Sequence, residues 1–245
     1  VLLRAAAEGI AKAGAAVLDF GLCTTPAMFV ACITPDWLPE GAIMVTASHQ
    51  PSDRNGLKFF TKAGGIESSD LDEILEIAES DLPLSGGSSP IVKREFLPVY
   101  CEQLKDRVRK GLDTDVQKPL LGLHVVVDAG NGAGGFYEEM LRELGAWTEG
   151  SQFLEPDGHF PNHIPNPENP EAMDSISRAV TAAGAALGFF TTDGITVLFT
   201  LVLLWIVRRL DGVFERYPDL VIENCSSGGL RMDYAMLSRL SIQST

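Results

Sequence analysis

Basic residues are scarce in this chain. It holds 19 Lys and Arg against 33 Asp and Glu, a formal net charge of −14, and no lysine follows Lys118. A nucleic-acid binder needs a basic face to meet phosphates, so that class is excluded as a partner. A small phosphorylated ligand needs only a few local donors and stays open. Cysteine is also sparse: Cys23, Cys32, Cys101 and Cys225 show no CxxC spacing and no histidine at finger distance. That argues against a structural zinc site and for reduced thiols in a cytoplasmic protein. A secretory signal is missing, because the opening VLLRAAAEGIAKAG is an amphipathic helix with charges inside it. A starting Met is missing too, and the expectation is a chain truncated at its amino terminus. The longest apolar run, Ile195–Val207, has 13 residues. A membrane span needs about 20, so a buried strand or helix is expected there and no membrane partner. Neither GxGxxG nor GxxxxGK[ST] is present, and no GxSxG elbow, which weakens nucleotide-site and serine-hydrolase readings.

What is present is an ordinary globular composition, 45% hydrophobic and 21% charged. The charge is unevenly spread: residues 201–245 hold five Arg and five Asp or Glu, so the whole −14 sits in residues 1–200. Helical spacing predicts a helix over 3–13. Ala15–Phe20 reads as a short strand ending in a turn from Gly21 to Pro26, and Ala42–Val45 and Leu57–Phe60 read as strands. Ser69, with Asp72 three positions on, is expected to cap a helix whose buried face is Leu71, Ile74, Leu75 and Ile77. Pro83–Pro90 has linker composition. A second unit starts near Arg94, with Phe96, Val99, Tyr100, Leu104 and Val108 at helical spacing. Leu123–Val127 is a fully apolar strand, followed by the glycine-rich turn Asp128–Gly135 and a helix through Phe136, Met140, Leu141 and Leu144. Asn169 and Pro170 suit an N-cap and first helical position, and Ala185–Phe190 reads as a strand. Helices alternating with apolar strands imply α/β units with parallel pairing.

One polar loop carries candidate chemistry. In Thr46-Ala-Ser-His-Gln-Pro-Ser-Asp-Arg-Asn-Gly-Leu-Lys58 a buried strand delivers Ser48 to a strand-end loop. Such loops are where α/β proteins hold reactive groups rigidly. Ser48 is a candidate nucleophile, His49 a proton carrier, and Lys58 a phosphate contact or acid. An ordinary polar turn is the other reading, and composition alone favours it. The turn Asp128–Gly135 could cradle a phosphate, but a structural turn is preferred. His159 and His163 lie in a Pro- and Asn-rich loop, where packing is preferred over zinc.

The loop resembles the active-serine loop of the α-D-phosphohexomutases, the phosphoglucomutase and phosphomannomutase family. That loop usually reads TASHNP followed by NGxK; here Gln50 stands in for the Asn. Three more segments resemble the same family in order: Asp19-Phe-Gly-Leu-Cys-Thr-Thr-Pro26 its DxGxxxTP turn, Val125–Gly134 the opening of its second domain, and Pro156–Pro167 its PDGxFPxHxPNP segment. The resemblance implies two tandem α/β domains, mixed sheets flanked by helices, at 1–89 and 94–192. It implies a phosphoserine at Ser48 that exchanges its phosphoryl group with a hexose phosphate, hexose 1,6-bisphosphate as activator, and Mg²⁺ held by Ser48 and Asp193. His49 and Lys58 match positions linked to proton transfer and substrate contact, and Thr46, Asn55 and Gly56 fall in the expected substrate-binding set.

The pattern breaks after residue 190. The family's metal loop reads DGDxDR or DTDxDR, whereas Leu187-Gly-Phe-Phe-Thr-Thr-Asp-Gly-Ile-Thr196 keeps only Asp193. One carboxylate is a poor Mg²⁺ site. The resemblance also implies a missing amino-terminal arginine loop and missing third and fourth domains. Tyr217–Leu237 resembles instead the ENCxSGGxRxD segment of retaining α-galactosidases, whose fold is a TIM barrel; Cys225, Ser226, Gly228, Gly229 and Arg231 match. Retaining hydrolysis needs two carboxyl groups about 5–5.5 Å apart, and neither matched residue is in this stretch. The expectation is a chimeric frame: a mutase piece of reduced activity joined at 193–245 to a barrel scrap. The alternatives are an inactive chimera retaining phosphosugar binding and, last, a glycoside-hydrolase remnant.

Overall fold

The computed structural model describes residues 1–48, 50, 52–80 and 87–191, with the backbone of three further short strands at 196–199, 223–225 and 242–244. The first unit opens with α1 (Leu2–Lys12), β1 (Val17–Asp19) and α2 (Thr25–Ala31). The hairpin of β2 (Ala42–Thr46) and β3 (Gly56–Thr61) follows, then β4 (Gly64–Gly65), α3 (Ser68–Glu79) and β5 (Ile91–Lys93). β1 pairs with β5 in parallel, Leu18 opposite Val92. β2, β3 and β4 form a separate antiparallel meander. Mixed sheets were expected, with parallel pairing where helices alternate with strands; the link from Thr46 to Gly56 is too short for a crossover, so this pair runs antiparallel. The expected strand Ala15–Phe20 is narrower, Val17–Asp19.

The start of α3 differs from the sequence expectation. Glu67, not Ser69, is the N-cap: its carboxylate accepts from the N3 backbone, and Asp70 accepts the Glu67 N–H at 3.0 Å. Glu67 is already extended and Ser68 already helical, so the box closes two residues earlier than predicted. The expected buried face is not buried. Leu71, Leu75 and Ile77 are 42%, 52% and 53% exposed, with Ile74 half-buried. The spacing is amphipathic, but no described element lies over the stripe.

α4 (Leu97–Gly111) joins the two units. Phe96 and Tyr100 enter the first core beside Phe20, Cys23, Ala27 and Ala31. Phe20 stacks on Phe96 at 5.4 Å, Trp37 meets Phe96 edge-on at 4.9 Å, and Arg94 lies 3.8 Å over the Trp37 ring. From its other side α4 reaches the second unit, where Lys105 donates to Glu143 at 2.6 Å and Tyr100 meets Phe136.

The second unit holds β6 (Val125–Asp128), α5 (Phe136–Glu143), α6 (Pro170–Ala183) and β7 (Leu187–Thr191). β6 and β7 pair in parallel, as alternation predicts for a βαβ unit, and β8 (Thr196–Phe199) adds antiparallel to β7. All four residues of β6 are buried, matching its unbroken apolar run. Asn169 caps α6 as expected: its side chain accepts from Glu171 N at 2.8 Å and Ala172 N at 3.3 Å, and Gly184 ends the helix at φ +62°. Ala172, Ile176 and Val180 pack on Val126, Ala185 and Phe190. Each large side chain removed from water here contributes about 1.5–3 kcal/mol.

β9 (Glu223–Cys225) and β10 (Ile242–Ser244) pair in parallel with each other. The rest of the galactosidase-like segment, the run 200–207, His49 and Asp193 lie outside the described residues. Among the described residues no helix is long and apolar enough to cross a membrane.

Candidate active site

The β2–β3 hairpin positions the candidate reactive groups. Register sets Thr46 opposite Gly56 and Met44 opposite Lys58, so the end of β2 and the start of β3 bring residues ten apart together. Beyond Thr46 the chain turns tightly, with Gln50 N–H donating to Ala47 O at 3.0 Å. Ser48 sits in this turn at φ +58°, in the left-handed region. An L-residue with a Cβ pays about 1–2 kcal/mol for that conformation. Thr46 holds it: the buried Thr46 hydroxyl accepts the Ser48 N–H at 2.7 Å. The outcome is a half-buried Ser48 hydroxyl facing the half-buried Lys58, whose ammonium donates to Ser48 Oγ at 3.3 Å. Strain of this kind persists only where surrounding structure fixes it, and it clusters at functional turns.

Of the seven expected site residues, Thr46, Ser48 and Lys58 are joined by hydrogen bonds on one hairpin. Asn55 and Gly56 lie exposed at its mouth. Thr46, expected among the substrate contacts, has its hydroxyl turned onto the Ser48 backbone N–H. Asp193, two positions after Thr191 in the sequence, and His49 lie outside the described residues. Chemically, the hairpin offers a hydroxyl beside a fixed cation. A phosphoryl group on that hydroxyl would carry about −1.5 to −2 charge at neutral pH, and Lys58 stands where that charge would form.

A metal fits less well. Among the described residues no group of three His, Cys, Asp or Glu is placed to hold an ion. The stretch 187–196 supplies one carboxylate, Asp193. A hard divalent cation bound through protein oxygens is poorly served by this donor set.

The glycine turn after β6 is structural. A Cβ on Gly135 would lie 2.0 Å from the Leu154 carbonyl oxygen, so the turn is packed solid against the next segment. The helix it feeds, α5, carries Glu138 and Glu139 in its first turn, which repel an anion where a cradle would attract one. His159 is exposed against Asp157, whereas His163 is buried against Asp128. Nothing in the sequence linked Asp128 to His163, 35 residues apart.

A cleft of about 560 Å³ opens between the units, lined by Lys93, Cys101, Lys105, Glu139 and Glu143 among others. It does not include the Ser48 hairpin. Lys105 is paired by Glu102 at 2.5 Å and Glu143 at 2.6 Å, so its charge is already matched. Burial pushes the Cys101 thiol up to about 11, leaving it a poor nucleophile at neutral pH.

Comparison with known proteins bears on the family of the two units. Residues 1–83 match the model for phosphoglucomutase/phosphomannomutase alpha/beta/alpha domain I, and residues 98–194 match that for domain II. A phosphomannomutase/phosphoglucomutase of Pseudomonas aeruginosa is 30% identical over 194 residues, covering 79% of this chain and 39% of that protein. A probable phosphoglucosamine mutase of Methanopyrus kandleri is 33% identical over 239 aligned residues, covering 91% of this chain and 50% of that one. Among solved structures, a phosphoglucomutase/phosphomannomutase family protein of Burkholderia thailandensis superposes with a TM-score of 0.64 at 26% identity, over 91% of this chain and 49% of that one. The chain thus spans between about two fifths and half of the length of these relatives.

Proposed function

Domains I and II place this chain in the phosphoglucomutase/phosphomannomutase family, and from that premise we propose that it carries the serine-centred half of a phosphohexomutase reaction on hexose phosphates. Ser48 Oγ attacks a sugar-bound phosphoryl group; the Oγ–P bond forms as the sugar O–P bond breaks. The serine proton leaves with attack and returns to the sugar oxygen, and His49, next in the chain, is the candidate carrier. Lys58 neutralises charge building on the transferred group. The observation that supports this reading most is the Lys58–Ser48 contact at 3.3 Å on a strained turn inside the matched first domain. Asn55 and Gly56, exposed beside it, are the proposed sugar-phosphate contacts.

Full turnover is proposed to be impaired, since only one carboxylate of the family's metal loop remains. That same observation favours the second reading, an inactive chain that retains phosphosugar binding. Two observations bear on residues 193–245 in opposite directions. The charge break near residue 201 supports a joined frame. The 91% coverage by the Methanopyrus relative reaches beyond residue 194 and supports continuous mutase descent.

Incubation of the purified chain with glucose 1,6-bisphosphate, followed by intact-mass measurement, separates the readings. A single added phosphate that disappears in Ser48→Ala supports serine-centred transfer. Binding of the bisphosphate without any added mass supports the inactive reading.

A further inference from the structure

The polar groups after β6 are buried and interlocked. The Asp128 side chain is 0% exposed and that of His163 2%. Asp128 Oδ1 accepts the Gly130 N–H at 2.9 Å, and Oδ2 accepts from Gln152 Nε2 at 2.7 Å. His163 Nε2 faces the same carboxylate at 3.1 and 3.2 Å. The other ring nitrogen, Nδ1, lies 3.1 Å from the Ile164 carbonyl oxygen. Every neighbour of the carboxylate is therefore a donor, and both ring nitrogens face acceptors. A neutral imidazole has one donor nitrogen and one acceptor nitrogen, so one of these two contacts would lose its proton. Only the doubly protonated ring satisfies both.

We infer that His163 is a buried imidazolium and, with the Asp128 carboxylate, forms a charged clasp that locks the 153–167 segment onto the glycine turn and loosens as pH rises. The surroundings fit. Phe153 meets the ring edge-on at 5.3 Å and Phe190 of β7 stacks at 5.8 Å. Gly130 has no side chain to spare, since a Cβ there would come within 3.0 Å of His163 Cε1. Among the described residues Asp128 is the charged group facing the ring. Asp157 and His159, in the same segment, are exposed and pair with each other. Around the clasp Asn131 extends the lock, accepting from Asp157 N at 2.8 Å and from Asn162 Nδ2 at 2.8 Å, and donating to Glu155 O at 2.9 Å. Burial draws the imidazole downward, but the hydrogen bond and charge of Asp128 outweigh it, so the group titrates above its ordinary value. The sign follows. The clasp contributes fully below the ordinary histidine value of about 6.5, and its contribution is lost as pH rises through the raised value.

The test is ¹⁵N-histidine NMR of the full chain from pH 5 to 9, with His163→Gln to assign the resonance. The expected spectrum shows both ring nitrogens protonated at pH 7 and a midpoint above the ordinary histidine value of about 6.5. A neutral single tautomer at pH 7 overturns the inference. Should His163→Gln not fold, hydrogen exchange of the unaltered chain decides. Protection of the Asn131 and Asp157 amides, corrected for intrinsic exchange, should fall at least threefold above the midpoint; protection that stays flat with pH contradicts the clasp.

Discussion

Two strand-end loops in this chain share a strained backbone and differ in what surrounds it. The loop after β2, 47–55, has no glycine and holds two Ser, one Asp and one Asn, whereas the turn after β6, 128–135, holds four Gly beside one Asp and one Asn. The first follows a strand of the antiparallel meander and the second a strand of a mixed sheet, and each contains a non-glycine residue at positive φ, Ser48 at +58° and Asn131 at +58°. In the second unit the polar groups point inward and satisfy one another, and the Asp128 and His163 side chains are shut away from water. In the first unit the strained residue keeps a half-buried hydroxyl beside a cation. Burial of the polar side chains separates the closed turn of the second unit from the candidate site of the first.

That comparison can be broken most forcefully at the buried carboxylate. Asp128→Ala removes one partner of an enclosed charged pair and strands the Gly130, Gln152 and His163 donors. A loss of about 3–5 kcal/mol is expected, read as a drop in the urea midpoint near pH 6. Next comes Gly135→Ala. Its Cβ would meet the Leu154 carbonyl at 2.0 Å, backbone that cannot swing aside, so about 2–3 kcal/mol should be lost in the same experiment. The opposite sign belongs to the first loop. Ser48→Gly keeps the turn and relieves the positive φ, and it should raise stability by about 1 kcal/mol while removing the phosphate acceptor. A destabilised Ser48→Gly would mean that the serine is held for packing.

Much of the first loop was visible in the sequence. An apolar strand, a Ser just past its end and a Lys ten positions on belong to one hairpin; register sets Lys58 opposite Met44, and the turn at Ser48 with the length of the lysine side chain closes the contact. The Asn169 cap was readable for a similar reason, since capping is local chemistry between neighbours. The misses are non-local. Amphipathic spacing in α3 could not show that nothing described covers Leu71 and Leu75. The Asp128–His163 pair joins residues whose motifs read separately as a turn and a loop, and no local pattern reports a contact 35 residues apart. The pairing of β5 with β1 hid in the same way, because Ile91–Lys93 follows a stretch of linker composition.

The most direct measurement is a site-resolved phosphorylation time course with glucose 1,6-bisphosphate, comparing the unaltered chain with Lys58→Met. The account predicts phosphate on Ser48, arriving roughly 10²-fold more slowly without the Lys58 ammonium. Phosphate appearing only within 128–167, or Ser48 staying unmodified while the bisphosphate binds, would contradict it.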